Sequence, residues 1–339
     1  MKKGSCIIND IDIADLGMFI LQGGDYDLFS FPQRVEPVQN DWYEQDGIDV
    51  DLEEIHFKEK KVTISFYLSA ENSDLFRLRL ERFFSLFYTN LRQKNKKSDN
   101  NENIYKKDGY IKFKYGESDH TFYLRYISCP EYSHREGLYK SGRKSAEIRV
   151  EFSMDEPLQF FTDPTILIPD ISYHNKTYIS LNGYDLSRFG IIVSECYNSV
   201  MKLADAKAPL TRTFEYKRGL ESYPSVSPRL QNKQIIISCT MLADSLDRFL
   251  YNYQALFNNI NKKNALAIVT YYDDFECYYS DMQNFIKEEP FDRRIKVSFD
   301  LIFNIIHPNR PVPILVTENL IPLTTENNAN YIRTSSTLK

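Results

Sequence analysis

The residues best suited to chemistry are carboxylates, and they cluster twice near the amino end. Asp10, Asp12 and Asp15 stand in an Asp-x-Asp-x-x-Asp pattern. In outline this is the start of a calcium loop, where carboxylate oxygens hold a hard cation. Such a loop needs glycine at its sixth position and glutamate at its twelfth, and Asp15 and Leu21 stand there instead. Ile11 and Ile13 alternate with the acids, so the expectation is a strand with its carboxylates toward solvent. Asp46, Asp49, Asp51, Glu53 and Glu54 form the second cluster, next to His56. A metal site or a catalytic carboxylate pair requires such groups to converge on one point; a solvated or interface-facing loop is the expected outcome. Asp273-Asp274 falls between two apolar runs, where aspartate serves turn chemistry.

The other reactive types are dispersed. His56, His120, His134, His174 and His307 form no HxH, HExxH or HxxxH pattern. Cys6, Cys129, Cys196, Cys239 and Cys277 are odd in number and make no CxxC pair, against a zinc module or a disulfide framework and in favour of reduced thiols. No GxSxG, Walker A or GxGxxG motif occurs. The expectation is no catalytic residue, no metal and no cofactor. Two basic stretches, one with Lys94, Lys96, Lys97, Lys106 and Lys107 and one with Arg135, Lys140, Arg143 and Lys144, are charged loops or subunit contacts before they are phosphate sites. The Phe and Tyr stripes fall at helix and strand spacing, which points to core rather than to base stacking.

Composition narrows the class. The 339 residues carry 42 basic and 47 acidic side chains for a net charge of −5, which disfavours a sequence-independent nucleic-acid clamp. Only 12 glycines occur, against 23 Phe and 24 Tyr, a balance that suits strands and interfaces. Lys2 and Lys3 precede no long apolar region, so neither a signal peptide nor a membrane span is expected, and synthesis in the cytoplasm is.

The elements that position these residues occur twice. Ile8–Ile20 lies over Leu181–Val193 without a gap, at an offset of 173 residues, with Asn9, Asp12 and Gly17 matching Asn182, Asp185 and Gly190. Val62–Ser65 lies over Ile235–Ser238 at the same offset, as do Phe76 over Phe249 and Phe84 over Phe257. Further on, Phe122 matches Phe275 at offset 153, and Ile148–Phe152 matches Ile295–Phe299 at offset 147. Ordered blocks of this kind are the signature of an internal duplication.

Each copy reads as strands with one helix. In the first, strands are expected at Lys61–Ala70, Tyr110–Tyr115, Thr121–Ser128 and Ser145–Met154, with an amphipathic helix over Asp74–Phe87 behind the cap signal Glu71-Asn72-Ser73. In the second, strands are expected at Ile235–Met241, Leu266–Tyr272, Phe275–Met282 and Arg294–Ile306. The helix there begins after Asp244 or Ser245. The opening segments read as two short strands with turns at Asp15–Gly17 and Arg188–Gly190. The fold class is α+β, mainly β: two tandem copies of a small β-barrel or curled sheet, each with one flanking helix. The expected division is residues 1–160, with a polar insertion at 93–108, then 170–307, then an extended tail at 308–339. Cys129 to Lys144 reads as a second polar loop.

These features together resemble the N-terminal ring domain of bacteriophage distal tail proteins, which open with an Ile-Asn-Gly-x-Asp-like strand, a Tyr/Phe-Gly pair and a later Asp-Gly. The first copy has Asn9-Asp10-Ile11-Asp12, Leu16-Gly17 and Asp46-Gly47; the second has Asn182-Gly183-Tyr184-Asp185, Phe189-Gly190 and Arg218-Gly219. The resemblance covers most of residues 1–306 and extends to the tube domains of baseplate hub proteins. It implies a non-enzymatic, structural protein of a phage or prophage tail. The implied partners are copies of itself in a ring and the tail tube and baseplate or tip proteins, with DNA only in passage and no membrane insertion. The implied location is the virion tail, after assembly in the host cytoplasm. A duplicated chain makes a six-fold-like ring from three copies, so trimer and hexamer both stand. A component of a contractile injection apparatus, a carbohydrate- or receptor-binding module and an enzyme are the competing classes.

Overall fold

The computed structural model describes residues 6–88, 109–115, 120–136, 142–170, 176–209, 211–216, 218–219, 221–222, 228–270, 273–288 and 294–308. The polar insertion at 93–108, with its lysines, lies outside the described residues, as do His174, Lys140 and the tail from 309.

The first half contributes β1 (Cys6–Ile8), β2 (Ile11–Asp12), β3 (Met18–Ile20), β4 (Gln39–Asn40), β5 (Asp49–Val50), β6 (Lys60–Ala70), β7 (Ile111–Tyr115), β8 (Thr121–Glu136) and β9 (Lys144–Met154). The second contributes β10 (Ser180–Leu181), β11 (Tyr184–Asp185), β12 (Ile191–Glu195), β13 (Thr211–Arg212), β14 (Glu221–Ser222), β15 (Lys233–Ala243), β16 (Leu266–Val269), β17 (Asp274–Lys287) and β18 (Ile295–Ile305). Helices are α1 (Tyr26–Phe29), α2 (Ser73–Tyr88), α3 (Tyr197–Met201) and α4 (Leu246–Ile260). Each half holds a seven-stranded sheet, ordered β2-β1-β7-β8-β9-β6-β3 and β11-β10-β16-β17-β18-β15-β12. Each strand of the first order is matched by its counterpart in the second, so the chain is mainly β and built on one topology used twice.

Connectivity forces both sheets to curl. Strands β2 and β3 sit at opposite edges, and a flat sheet of seven strands separates its edges by roughly 29 Å. The chain crosses from Asp12 to Met18 through a short 3-10 turn, Ile13–Leu16, whose span even at full extension is about 20 Å. The second half makes the same crossing through Leu186–Phe189. The opening segment is therefore three short strands with an edge-to-edge bridge rather than two strands. Bulges in β8 and β17, at Tyr126/Ser128 and Tyr279/Asp281, bend the long strands in the same sense.

The opening motif follows from this crossing. Asn9 and Asn182 adopt left-handed backbone conformations. Their side chains accept from Lys112 N (2.9 Å) and Ala267 N (3.1 Å) and donate to Leu86 O (2.7 Å) and Asn259 O (3.0 Å) at the ends of α2 and α4. Asp12 and Asp185 cap the 3-10 turns, and Gly17 and Gly190 end them in the left-handed region. Alternation in β6 buries Val62, Ile64, Phe66 and Leu68, and β15 does the same with Ile235, Ile237, Cys239 and Met241. Each such Val, Ile, Leu, Phe or Met side chain contributes about 1.5–3 kcal/mol. Asn72 and Ser245 cap the two helices through Leu75 N and Arg248 N.

Two expectations are corrected. Residues 129–136 are not loop: β8 continues to Glu136, whose partner is Lys144. This ribbon carries charge on its solvent face, with Arg135 on Glu147 at 3.2 Å, and so looks like loop by composition. The last strand is also matched differently. Lys60 pairs with Met154 and Lys233 with Ile305, so β9 and β18 correspond at offset 151 (305 minus 154) and not 147. A slip of four residues keeps the in–out alternation of a strand, which is why the pattern does not expose it.

Candidate assembly interface

The cation and carboxylate candidates resolve into structural roles. Asp12 accepts from Ala14 N at 2.8 Å and Asp10 pairs with Lys112 at 2.9 Å, while Asp15 faces solvent. In the acidic run, Asp46 accepts from Leu230 N (2.9 Å), Asp49 from the Trp42 indole (2.7 Å) and Asp51 from Glu53 N (3.0 Å). Glu54 meets His56 at 3.1 Å on the surface. Asp273 closes a turn with Thr270. His120 and His134 lie against Phe160 and Phe76, and His307 near Asp46 O. Among the described residues no three metal-ligating side chains converge. Burial pushes the thiols of Cys6, Cys196, Cys239 and Cys277 up, which disfavours the nucleophilic thiolate. Cys129, half-buried, is raised for the same reason. An open depression of about 540 Å³ is lined by Asp170, Asp244, Asp247, Arg248 and Tyr251; Arg248 is tied there to Asp244 (2.6 Å) and Asp170 (3.1 Å). Among the described residues no helix is long and apolar enough to cross a membrane.

What the fold does build is a seam between its halves. Each half sends out an arm between its third strand and its long sixth strand, residues 21–59 and the described parts of 196–232. Each arm carries a short helix, a bridge (Arg34 with Phe57, Ala206 with Leu230) and a two-stranded tip (β4–β5, β13–β14). The roots are held alike. The Lys60 ammonium donates to Leu28 O and Ser30 O, and the Lys233 ammonium to Val200 O and Lys202 O. Thr63 N donates to Asp27 and Ile236 N to Ser199. Burial brings the Lys60 amine down to about 7.

The first arm is seated on the second half. Phe31 enters between α4 and the sheet, its ring 4.6 Å from that of Tyr253 and 5.0 Å from that of Phe257. Its N–H meets Met282 Sδ at 3.3 Å. Tyr253 and Tyr279 donate to Phe29 O (2.8 Å) and Pro32 O (3.2 Å), and Arg34 N donates to Ser280 O at 2.9 Å. Lys287 pairs with Asp25 at 2.5 Å, both buried. At the tip, Gly47 lies so close to Ile306 O that a Cβ would stand 2.1 Å from it, and Lys207 donates to Trp42 O and Gly47 O and pairs with Asp41. Residues 160–170 complete the seam. Phe161 stacks on Phe257 at 4.0 Å, while Asn258 and Asn259 of α4 donate to Ile166 O and Leu167 O. One hydrophobic core consequently runs through both halves. Sequence reasoning found the aromatic stripes and Asp46-Gly47, but missed Phe31 as the residue that joins the halves. The signal for it was an aromatic-flanked proline, Phe29-Ser30-Phe31-Pro32, in an otherwise polar stretch.

No family model and no curated protein matches the chain. Among solved structures, the crystal structure of the Dit (gp 19.1) protein of SPP1 is a neighbour, described as a paradigm of the hub adsorption apparatus in Gram-positive infecting phages. It has a TM-score of 0.31 and 9% identity over 89% of this chain and 98% of that one. A likeness of that size defines neither family nor function for this chain.

Proposed function

We propose that this chain is a structural protein of a phage or prophage tail, forming a ring at the end of the tail tube or in the baseplate hub and acting without turnover. The observation that carries the reading is the duplication itself: two curled sheets of one strand order, each opened by the Asn–Asp–Gly crossing that resembles the distal tail family. A chain carrying two equivalent units gives six of them from three copies, which suits a six-fold tube meeting a three-fold tip; a ring of six chains is the variant with twelve. The net charge of −5 suits a bore through which DNA slides without being held. The partners on this reading are further copies, the tube protein and the baseplate or tip proteins, and the location is the virion tail.

Light-scattering mass across a concentration series, with negative-stain imaging of the largest species, tests it. Particles with a central hole and a mass of three or six chains are expected. A chain that stays monomeric throughout, with purified tube protein present as well, overturns the reading and moves attention to glycan binding.

A further inference from the structure

The second arm repeats the first at an offset of 172 residues, the offset that carries Asp27 onto Ser199 and Pro37 onto Pro209. Met201 therefore stands where Phe29 stands, Leu203 where Phe31 stands and Gly219 where Gly47 stands. Phe29 and Phe31 are 5% and 2% exposed in the seam, whereas Met201 and Leu203 are 63% and 56% exposed. Gly47 is pressed on backbone, and a Cβ on Gly219 meets nothing within 4 Å. The receiving surface is duplicated too. At the positions of Tyr253, Phe257, Tyr279 and Met282, the first half presents Leu80 and Phe84 of α2 and Tyr126 and Cys129 of β8, all half-buried, with Ile127 and Tyr132 exposed beside them. One arm is seated in the other half's groove, while the matching residues of its own half are only half-buried; the half whose groove is filled carries the exposed arm.

Building on the ring reading, we propose that the second arm of one chain seats on the first half of the next, Leu203 entering between α2 and β8. The occupant is a second copy of this chain because the chain already shows an equivalent fit within itself: a like-held arm root, a glycine at the same place in the tip, and an apolar groove at the matching helix and strand positions. The contact is head to tail, so repeating it closes a ring when the rotation per half divides a full turn. Each half-to-half step in that ring is then made in one way, alternately within a chain and between chains.

Cys129 makes the test direct. It is the only one of the five cysteines that is not buried, and it stands where Met282 meets Phe31. Leu203→Cys in the full chain, treated with a short bismaleimide, is expected to give a covalent ladder that ends at the ring mass. The ladder disappears when Cys129→Ser is added and is missing from the wild-type chain. Leu203→Asp is expected to weaken association at least about tenfold, with the thermal midpoint of the dissociated chain unchanged. Rings that form without the ladder, and that Leu203→Asp leaves intact, overturn the arm assignment while the ring reading stands. A chain that neither assembles nor cross-links overturns both, and a cross-link confined within one chain overturns the arm assignment alone.

Discussion

Helices α2 and α4 are one element in two situations. Both end where an asparagine of the opening motif reaches their last carbonyls, and both bury an inner face against a sheet of the same order. On α2 the buried residues are Phe76, Phe83, Leu86 and Phe87. On α4 nearly the whole surface from Asn252 to Ile260 is buried, because Phe31 and Phe161 pack on Tyr253 and Phe257 while residues 163–170 pass over Asn252, Asn258 and Asn259. The sequence of each outer face matches its situation. Helix α4 places Asn252, Asn258 and Asn259 where carbonyls of the passing chain need donors, whereas at the matching positions α2 has Arg79, Ser85 and Leu86, and Arg79 and Ser85 donate to Ser69 O and Arg82 O of their own half. A helix covered by its own chain and a helix that its own chain leaves partly exposed are thereby written differently on one scaffold.

The comparison is broken most severely at Phe31. Phe31→Ala is expected to cost about 3–5 kcal/mol in urea denaturation, since it empties a closed aromatic pocket. Leu203→Ala, at the equivalent but exposed position, is expected to stay within about 0.5 kcal/mol for the dissociated chain. Equal losses at both sites would mean that the second arm is already seated within its own chain. The tip glycines separate the halves next. Ala at either position enters the left-handed region, at about 1–2 kcal/mol. Gly47→Ala also pushes against Ile306 O and adds an overpacking cost of about 1–3 kcal/mol, so its melting midpoint falls further than that of Gly219→Ala.

The topology was legible because its signals are local. Caps, helical spacing and strand alternation repeat at one offset, and the mainly β fold with a helix per half follows from them. Less legible was whatever depends on which surfaces meet. Phe31 and Leu203 are both apolar residues in polar stretches, and only the packing distinguishes a buried joint from an exposed one. Asp46 looked like part of an acidic cluster because the partner that explains it, Leu230 N, is 184 residues away. The strand match at Ile148 failed for a different reason, since alternation is degenerate to even slips.

The opening motif sharpens the equivalence from the other side, because there the halves should respond alike. Asn9→Ala and Asn182→Ala each remove a side chain that accepts from a strand amide and donates to a helix carbonyl, and each places alanine in the left-handed region. About 2–3 kcal/mol is expected for both in urea denaturation. A large inequality would show that one crossing is carried by the seam and not by its own sheet.

The remaining comparison belongs to the arm roots and is read through pH. Lys60 is buried with its ammonium on Leu28 O and Ser30 O, and desolvation lowers it to about 7 from the usual 10.5. Between those values the unfolded chain binds the proton and the folded chain has released it, so stability rises with pH across the window, by at most about 1.4 kcal/mol per unit. Below about 7 both states are protonated and the contribution is flat. Lys233 is shifted in the same direction by burial, partly opposed by Asp273. Denaturation of the wild-type chain and Lys60→Met at intervals from pH 6.5 to 9 isolates the group: the wild type should gain on the variant as pH rises. A difference that stays constant across that range would show that the first arm's root is hydrated, and that the two arms are held less alike than their shared carbonyl contacts indicate.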